Sequence, residues 1–378
     1  MAVDSLSLHS FRDPDDFQAL ERGLAQTEAY AIGNQLGPFG KVGWFPELKD
    51  WVESEISKHG LRLSGPYRQL NTGPRFSLIR FETNGVAVWF KAVGEPNLRE
   101  YPVTVALSAY FPAFLPEVIA TRPEWNGWLA KEVKGSHPAP ATRMDAWITV
   151  ARTLAELQVL SLGQPYPLIE IGCHDMRVTS LLKLIDPFLQ VLPDLMAEQT
   201  TPSPAPLTRE ELGTLRTQLF DLFAAIAGSG MPNSLGHLDL NPGNIVLSGD
   251  LCVFLDWAEA CFGQPFSTFQ YLFEQFHRFP HECESWSAKL LSAYTEPWRQ
   301  VLVPEVLAEG IAAAPLLAVF AHAVSGGTWR DANLRFRPKQ KAYLRSLTRR
   351  IKREADLLSH SIPRSKESLH SEHTRLCS

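Results

Sequence analysis

No two cysteines in this sequence are spaced C-x-x-C, and the five that occur, Cys173, Cys252, Cys261, Cys283 and Cys377, are scattered and odd in number. That pattern argues against a disulfide framework or a structural zinc site, and it sets the expectation of a reducing cytoplasm. An excess of basic charge is lacking too. With 36 Lys and Arg against 41 Asp and Glu the net charge is −5, so nucleic acid is not the default partner. No apolar run reaches the length of a membrane span: the longest, "IAAAPLLAVFAHAV" from Ile311 to Val324, contains a proline and a histidine and reads as a buried helix, so no membrane partner is expected. The opening "MAVDSLSLHSFRDPDDF" has no basic start followed by an apolar stretch, and a secretory leader is not expected. Internal repeats are lacking as well. What is there is 378 residues with 45% hydrophobic content, enough for a large core in one bilobal unit or two domains. The partner this leaves is a small or soluble substrate.

The period of the hydrophobic pattern changes along the chain. The first sixty residues read as a helical extension: Pro46 suits a first turn, and Leu48, Trp51, Val52 and Ile56 share one helical face. Residues 61–135 read as a β-rich lobe. There "RFSLIRFET" and "VAVWFKAV" flank Asn84-Gly85, a dipeptide suited to a type I′ hairpin turn, and "LPEVIAT" and "GWLAKEV" form two more short strands. Ahead of these two, "NLREYPVTVALSAYF" reads as a helix interrupted or begun near Pro102. Residues 136–358 read as a helical lobe. Thr142 with Asp145 and Thr208 with Glu211 resemble capping boxes, each ahead of an apolar stripe: Trp147, Ile148, Ala151, Leu154 and Ala155 after the first, Leu212, Leu215, Leu219, Leu222 and Phe223 after the second. "TTPSPAP" before Thr208 reads as an exposed loop, and the polar tail 359–378 as disordered.

The chemistry concentrates in "GHLDLNPGNIVLSGDLCVFLDWAEA", Gly236 to Ala260. Two strand-like runs around Ser248-Gly249-Asp250 form a hairpin with Asn244 at its entry and Asp256 at its exit. One amide oxygen and one carboxylate, with the remaining positions left to water and phosphate oxygens, suit Mg2+; zinc would want nitrogen or sulfur. Asp239, five residues ahead of Asn244, is placed to orient a hydroxyl and accept its proton during in-line phosphoryl transfer.

The run His237-Leu238-Asp239-Leu240-Asn241-Pro242-Gly243-Asn244, followed by Leu255-Asp256-Trp257, resembles the catalytic loop and metal aspartate of the aminoglycoside phosphotransferase and choline kinase-like family. Its spacing also fits the general H-x-D-x-x-x-x-N kinase signature. The resemblance extends from the Gly65 region to beyond Tyr271, and it implies an α+β protein kinase-like fold: a small β-rich lobe, a larger helical lobe, and ATP with Mg2+ as cofactors. It further implies that Lys91, at the end of "VAVWFK", holds the α and β phosphates and pairs with Glu100; Glu95 is a nearer alternative, but Gly94 and Pro96 around it favour a turn. By the same resemblance Asn71, Thr72 and Gly73 cover the phosphates, while Glu132, Val133 and Trp89 meet the nucleotide, with Trp89 stacked on adenine. Two departures stand out. Gly263-Gln264-Pro265-Phe266-Ser267-Thr268 lacks both acids of the family's Gly-Asp-Pro-x-x-Asp-like run, and Gln158 stands where many relatives have histidine.

Each of these residues has an ordinary reading beside the chemical one. His237 reads as a loop brace rather than a proton carrier, and Asx side chains often cap turns. A lone strand lysine snorkels to water, and Glu100 alone would be a solvated helix charge. The joint spacing of Lys91, Asp239, Asn244 and Asp256 decides for chemistry. Glu259, Glu274 and Asp331 are candidates to meet a cationic amine on an acceptor. The basic run Arg335 to Arg353 carries Tyr343, Leu344, Leu347 and Ile351 on one stripe, so an amphipathic helix is expected rather than a nucleic-acid patch. The expected function is ATP- and Mg-dependent transfer of the γ-phosphate to a hydroxyl of a small-molecule acceptor: an aminoglycoside, amino alcohol or sugar-like compound. The alternative from another class is a catalytically silent nucleotide-binding regulator; the intact Asp239 and metal set favours the enzyme.

Overall fold

The computed structural model describes residues 39, 43–73, 76–139, 143–163, 167–249, 251–278 and 285–361. The chain divides into two units, Met1–Gly135 with Val253–Ala258, and Ser136–Cys252 with Glu259–Ser378.

The first unit is built on a five-stranded antiparallel sheet, β1 (Leu63–Gly73), β2 (Phe76–Thr83), β3 (Val88–Val93), β4 (Val118–Arg122) and β5 (Gly127–Lys131), in the order β1-β2-β3-β5-β4. Alternation along β2 and most of β3 turns Ile79, Phe81, Val88, Phe90 and Ala92 to one face, joined by Leu129 of β5. Helix α1 (Trp44–Ser57) covers that face with Leu48, Val52 and Ile56, all fully buried. At roughly 1.5–3 kcal/mol for each fully buried aliphatic side chain, this stripe integrates the helix into the unit rather than leaving it an appended arm. The opposite face carries Arg80, Trp89, Lys91 and Trp128, and α2 (Glu100–Tyr110) packs there through Tyr101.

The connection from β2 to β3 differs from the expected type I′ turn. That turn needs positive φ at both central residues, and neither Asn84 nor Gly85 has it. Side chains set the loop instead. Thr83 Oγ1 donates to Val86 O at 2.8 Å and accepts from Gly85 N at 3.0 Å, while Asn84 Oδ1 accepts from Arg62 N at 2.8 Å. Strand β1 was not foreseen at its full length, because Gly65 and Pro66 weaken the strand signal; its register shifts between Leu63 and Tyr67 absorb them.

The second unit is mainly helical. Its core is formed by α3 (Met144–Leu160), α4 (Val178–Gln190), α5 (Leu192–Ala197), α6 (Arg209–Gly228), α7 (Pro265–His277), α8 (Ser285–Trp298), α9 (Pro304–Ser325), the short α10 (Ala332–Arg335) and α11 (Pro338–Ser361). The capping box at α6 is complete: Thr208 Oγ1 accepts from Glu211 N at 3.1 Å, and the Glu211 carboxylate accepts from Thr208 N at 2.8 Å. Thr142, the other expected cap, lies outside the described residues, and α3 begins after Arg143 without a side-chain cap. Helix α9 is the one described helix long and apolar enough to cross a membrane, and it buries Leu316, Leu317 and Phe320 in the core of this unit. The basic helix α11 runs to Ser361, beyond the expected start of the tail, and its cations clamp the chain around the "TTPSPAP" segment. Arg345 donates to Leu195 O at 3.1 Å, Arg349 to Ala205 O at 3.2 Å, and Lys341 pairs with Glu198 at 2.6 Å. The rest of the expected tail lies outside the described residues.

A three-stranded sheet, β6 (His174–Met176), β7 (Ser234–His237) and β10 (Ala260–Gly263), is ordered β6-β10-β7. The hairpin β8 (Ile245–Ser248) and β9 (Leu251–Phe254) lies between β7 and β10 in the chain, with the boundary between the units inside β9.

Candidate active site

In the first unit, Lys91 of β3 is drawn into an ion-paired cluster with Glu100, the first residue of α2, and with Asp256, whose Oδ1 lies 3.0 Å from Lys91 Nζ. Glu95, the alternative partner, is exposed in the loop ahead of α2 and is not the residue that pairs. Glu100 is buried, and burial pushes its carboxyl up to about 7 against the pull of Lys91. Burial alone would lower the Lys91 ammonium; the carboxylates of Glu100 and Asp256 outweigh it and hold the group above its ordinary value. Asp256 sits at φ 59°, a left-handed conformation unusual for a non-glycine residue, which sets its carboxylate beside Lys91.

On the same sheet face Trp89 is half-buried, and its indole Nε1 donates to Glu132 at 3.0 Å. Arg80 grips Glu132 with two bonds, Nε to Oε1 at 2.6 Å and a terminal nitrogen to Oε2 at 2.8 Å. The Arg80 bonds hold the Glu132 carboxyl below its usual range. Sequence reasoning missed Arg80; its register opposite Trp89 across β2 and β3 is the signal that would have found it. Val133 follows directly after Glu132 at the end of β5. Asn71, Thr72 and Gly73 form the end of β1, where Gly73 pairs with Phe76.

In the second unit, the loop that carries Asp239 hangs from β7. Gly236 is obligatory there, because a Cβ would stand 2.5 Å from Thr268 Oγ1 and 2.7 Å from Cys261 Sγ. That closeness lets His237 N donate to Thr268 Oγ1 at 3.2 Å. His237 is buried and braces the loop: its Nδ1 accepts from Asp239 N at 3.1 Å, which an imidazolium could not do. Leu238 N donates to Glu259 O at 2.9 Å, and Leu240 is buried next to Asp239, so the loop is fixed from both sides.

Asp239 is surrounded by neutral donors. Asn241 Nδ2 donates to its Oδ1 at 3.0 Å and Tyr271 OH to the same oxygen at 3.1 Å. Asn244 Nδ2 donates to the backbone oxygen of Asp239 at 2.8 Å and lies 3.4 Å from Oδ2. With that nitrogen committed to Asp239, the group Asn244 has left to offer is its Oδ1. Burial, then the Asp239 charge, pushes the Tyr271 phenol up to about 12, which keeps it a donor. Tyr271 and Thr268 were not foreseen; they stand one turn apart on α7, so one helix face meets both His237 and Asp239.

Both departures from the family pattern have structural roles. Gln264 caps α7, its Oε1 accepting from Ser267 N at 3.0 Å while Nε2 donates to Gly310 O at 3.1 Å, a bond that a carboxylate could not make. Gln158 is fully buried; its Nε2 donates to Pro265 O at 3.1 Å and its Oε1 accepts from Tyr294 OH. Together they tether the start of the helix that carries Thr268 and Tyr271. The carboxylates considered for a cationic acceptor are already engaged. Asp331 caps α10 by accepting from Asn333 N at 2.7 Å, Glu274 is paired with Arg350, and Glu259 lies 3.3 Å from His174.

The model of the phosphotransferase enzyme family matches residues 106–302, just over half of the chain. No curated protein matches the sequence. Among solved structures, choline kinase from Cryptosporidium parvum Iowa II is similar at 14% identity and a TM-score of 0.57, with 84% of this chain and 97% of that chain covered. Choline kinase from Streptococcus pneumoniae follows at 14% identity and TM-score 0.53, covering 83% of this chain and 99% of the other. A choline/ethanolamine kinase family protein from Mesorhizobium loti gives 16% identity and TM-score 0.52, with 84% and 99% covered. At these identities the likeness is one of fold, and it agrees with the α+β kinase-like architecture expected from the catalytic-loop motif.

Proposed function

The chain belongs to the phosphotransferase enzyme family, and from that premise we propose that it transfers the γ-phosphate of ATP, with Mg2+, to a hydroxyl of a small-molecule acceptor. The observation that carries the proposal is the cluster of Lys91, Glu100 and Asp256: residues up to 165 positions apart share one ion-paired site on the first unit. A lysine held charged by two carboxylates suits the α and β phosphates, with Glu100 orienting it. Trp89, its indole edge tied to Glu132, supports stacking on adenine, and Asn71, Thr72 and Gly73 at the end of β1 would cover the phosphates.

The donor chemistry fits magnesium. Asp256 on the first unit carries carboxylate oxygens and Asn244 on the second an amide oxygen, each a hard donor of the kind magnesium takes. When bound, the metal supplies charge neutralisation of the phosphate oxygens. On the second unit, Asp239 orients the acceptor hydroxyl and takes its proton as the oxygen attacks the γ-phosphorus and the bridging bond to ADP breaks. His237 braces the Asp239 backbone, and Asn241 donates to its carboxylate. ATP consumption screened across aminoglycosides, amino alcohols, sugars and nucleosides tests the proposal. Turnover with one class that is lost without Mg2+ supports it, and nucleotide binding with no transfer to any acceptor would favour the silent regulator instead. A cytoplasmic setting, read from the cysteine pattern, is part of the proposal.

A further inference from the structure

The two oxygens of Asp239 are not equivalent. Oδ1 accepts from Asn241 Nδ2 at 3.0 Å and from Tyr271 OH at 3.1 Å, whereas among the described residues Oδ2 has one long contact, 3.4 Å, to Asn244 Nδ2. Two donors on Oδ1 leave Oδ2 the freer of the two oxygens to meet a further hydrogen. We propose that Tyr271 is a positioning residue for phosphoryl transfer: by donating its phenol hydrogen to Oδ1 it fixes the Asp239 carboxylate and leaves Oδ2 as the oxygen that takes the acceptor's proton. The proposal rests on the reading of Asp239 as the base.

The packing supports this role. Tyr271 is half-buried on α7, one turn after Thr268, whose Oγ1 accepts the His237 amide. Gly236 allows the helix to approach β7 this closely, and Gln264 and Gln158 fix the helix start. The same helix therefore holds the loop at its root and at its catalytic tip, and the phenol is the contact made to the tip. In the reaction the acceptor O–H bond breaks, its proton passes to Oδ2 and its oxygen forms the new bond to phosphorus. The Tyr271 hydrogen stays on the phenol throughout.

Tyr271→Phe keeps the ring and removes only the hydroxyl. The assay uses whichever acceptor in the panel supports the fastest turnover or, where none does, ATP hydrolysis with water as acceptor. The expected result is a fall in kcat of roughly tenfold or more, a part of the 10²–10⁴-fold that a positioned base supplies. The KM for ATP and the melting temperature should stay at their wild-type values, a split that a merely structural phenol would not give. Asp239→Asn, measured alongside, separates the two readings. An inactive Asp239→Asn with a fully active Tyr271→Phe overturns the positioning role and leaves the base in place. An active Asp239→Asn removes the base itself. A Tyr271→Phe protein that loses melting temperature and ATP affinity along with kcat also overturns the proposal, since the hydroxyl would then serve the fold.

Discussion

The two units hold their chemistry in opposite ways. On the first, Lys91, Glu100 and Asp256 form a charged cluster in which each group is held by another of opposite sign. On the second, the described residues that hold Asp239 are neutral: Asn241, Asn244, Tyr271 and the Nδ1 of His237 through the backbone. The proposed role of the first, taking up the phosphates of a nucleotide, needs fixed charge ready before the ligand arrives, and burial makes that charge costly unless it is paired. A base needs the reverse. A cation paired with Asp239 would draw its affinity for a proton down, whereas amides and a phenol orient the carboxylate without cancelling its charge.

Breaking the neutral side should have the largest effect. Asp239→Asn is expected to lower kcat by roughly 10²–10⁴-fold, with ATP affinity unchanged, because the amide keeps the hydrogen-bonding shape and loses the basic oxygen. Steady-state kinetics with ATP titration checks both halves. On the charged side, Asp256→Ala should abolish the magnesium dependence of nucleotide binding and leave binding of metal-free nucleotide in place, since Lys91 keeps Glu100 as its partner. Calorimetric titration with and without Mg2+ reads this, and an unchanged metal effect removes Asp256 from the metal's ligands.

Stability offers a sharper line between the units. Leu48→Ala on α1 should cost about 2–5 kcal/mol by emptying a fully buried position over the sheet that carries Lys91. Denaturant unfolding measures the cost, and a loss near zero would make α1 an independent arm. Smaller again is Trp89→Ala, expected to weaken ATP binding by about 1–3 kcal/mol if the indole is the adenine platform. Unaltered ATP affinity in a folded variant would leave Trp89 as a partner of Glu132 and nothing more.

Much of the proposed site was legible from spacing. His237, Asp239, Asn244 and Asp256 fall within twenty residues, so their order alone carried the motif, and α6 announced itself through Thr208 and Glu211 because a capping box is local. Other parts were not legible. The Asn84-Gly85 dipeptide suggested a two-residue turn, but Arg62 lies across from Asn84 and Thr83 closes the loop, so a neighbouring strand overrode the local preference. Arg80, Gly236 and Tyr271 carry no motif. Each acquires its role from a residue tens of positions away, Glu132, Thr268 and Asp239 respectively.

The basic run Arg335 to Arg353 draws the same line. Its apolar stripe, written in the periodicity, marked it as a helix, but that its cations reach backbone oxygens near "TTPSPAP" depended on which chain lay beside it. The sequence by itself determined the α+β class and named the candidates for the chemistry, a lysine, two aspartates and an asparagine at kinase spacing, because both follow from residue type and local period. Tertiary structure alone decided how each member is held: which glutamate meets Lys91, which oxygen of Asp239 takes two donors, and why glutamines stand at Gln158 and Gln264. Those are contacts between distant segments, and hydrogen-bond geometry over about 3 Å has no trace in spacing along a chain.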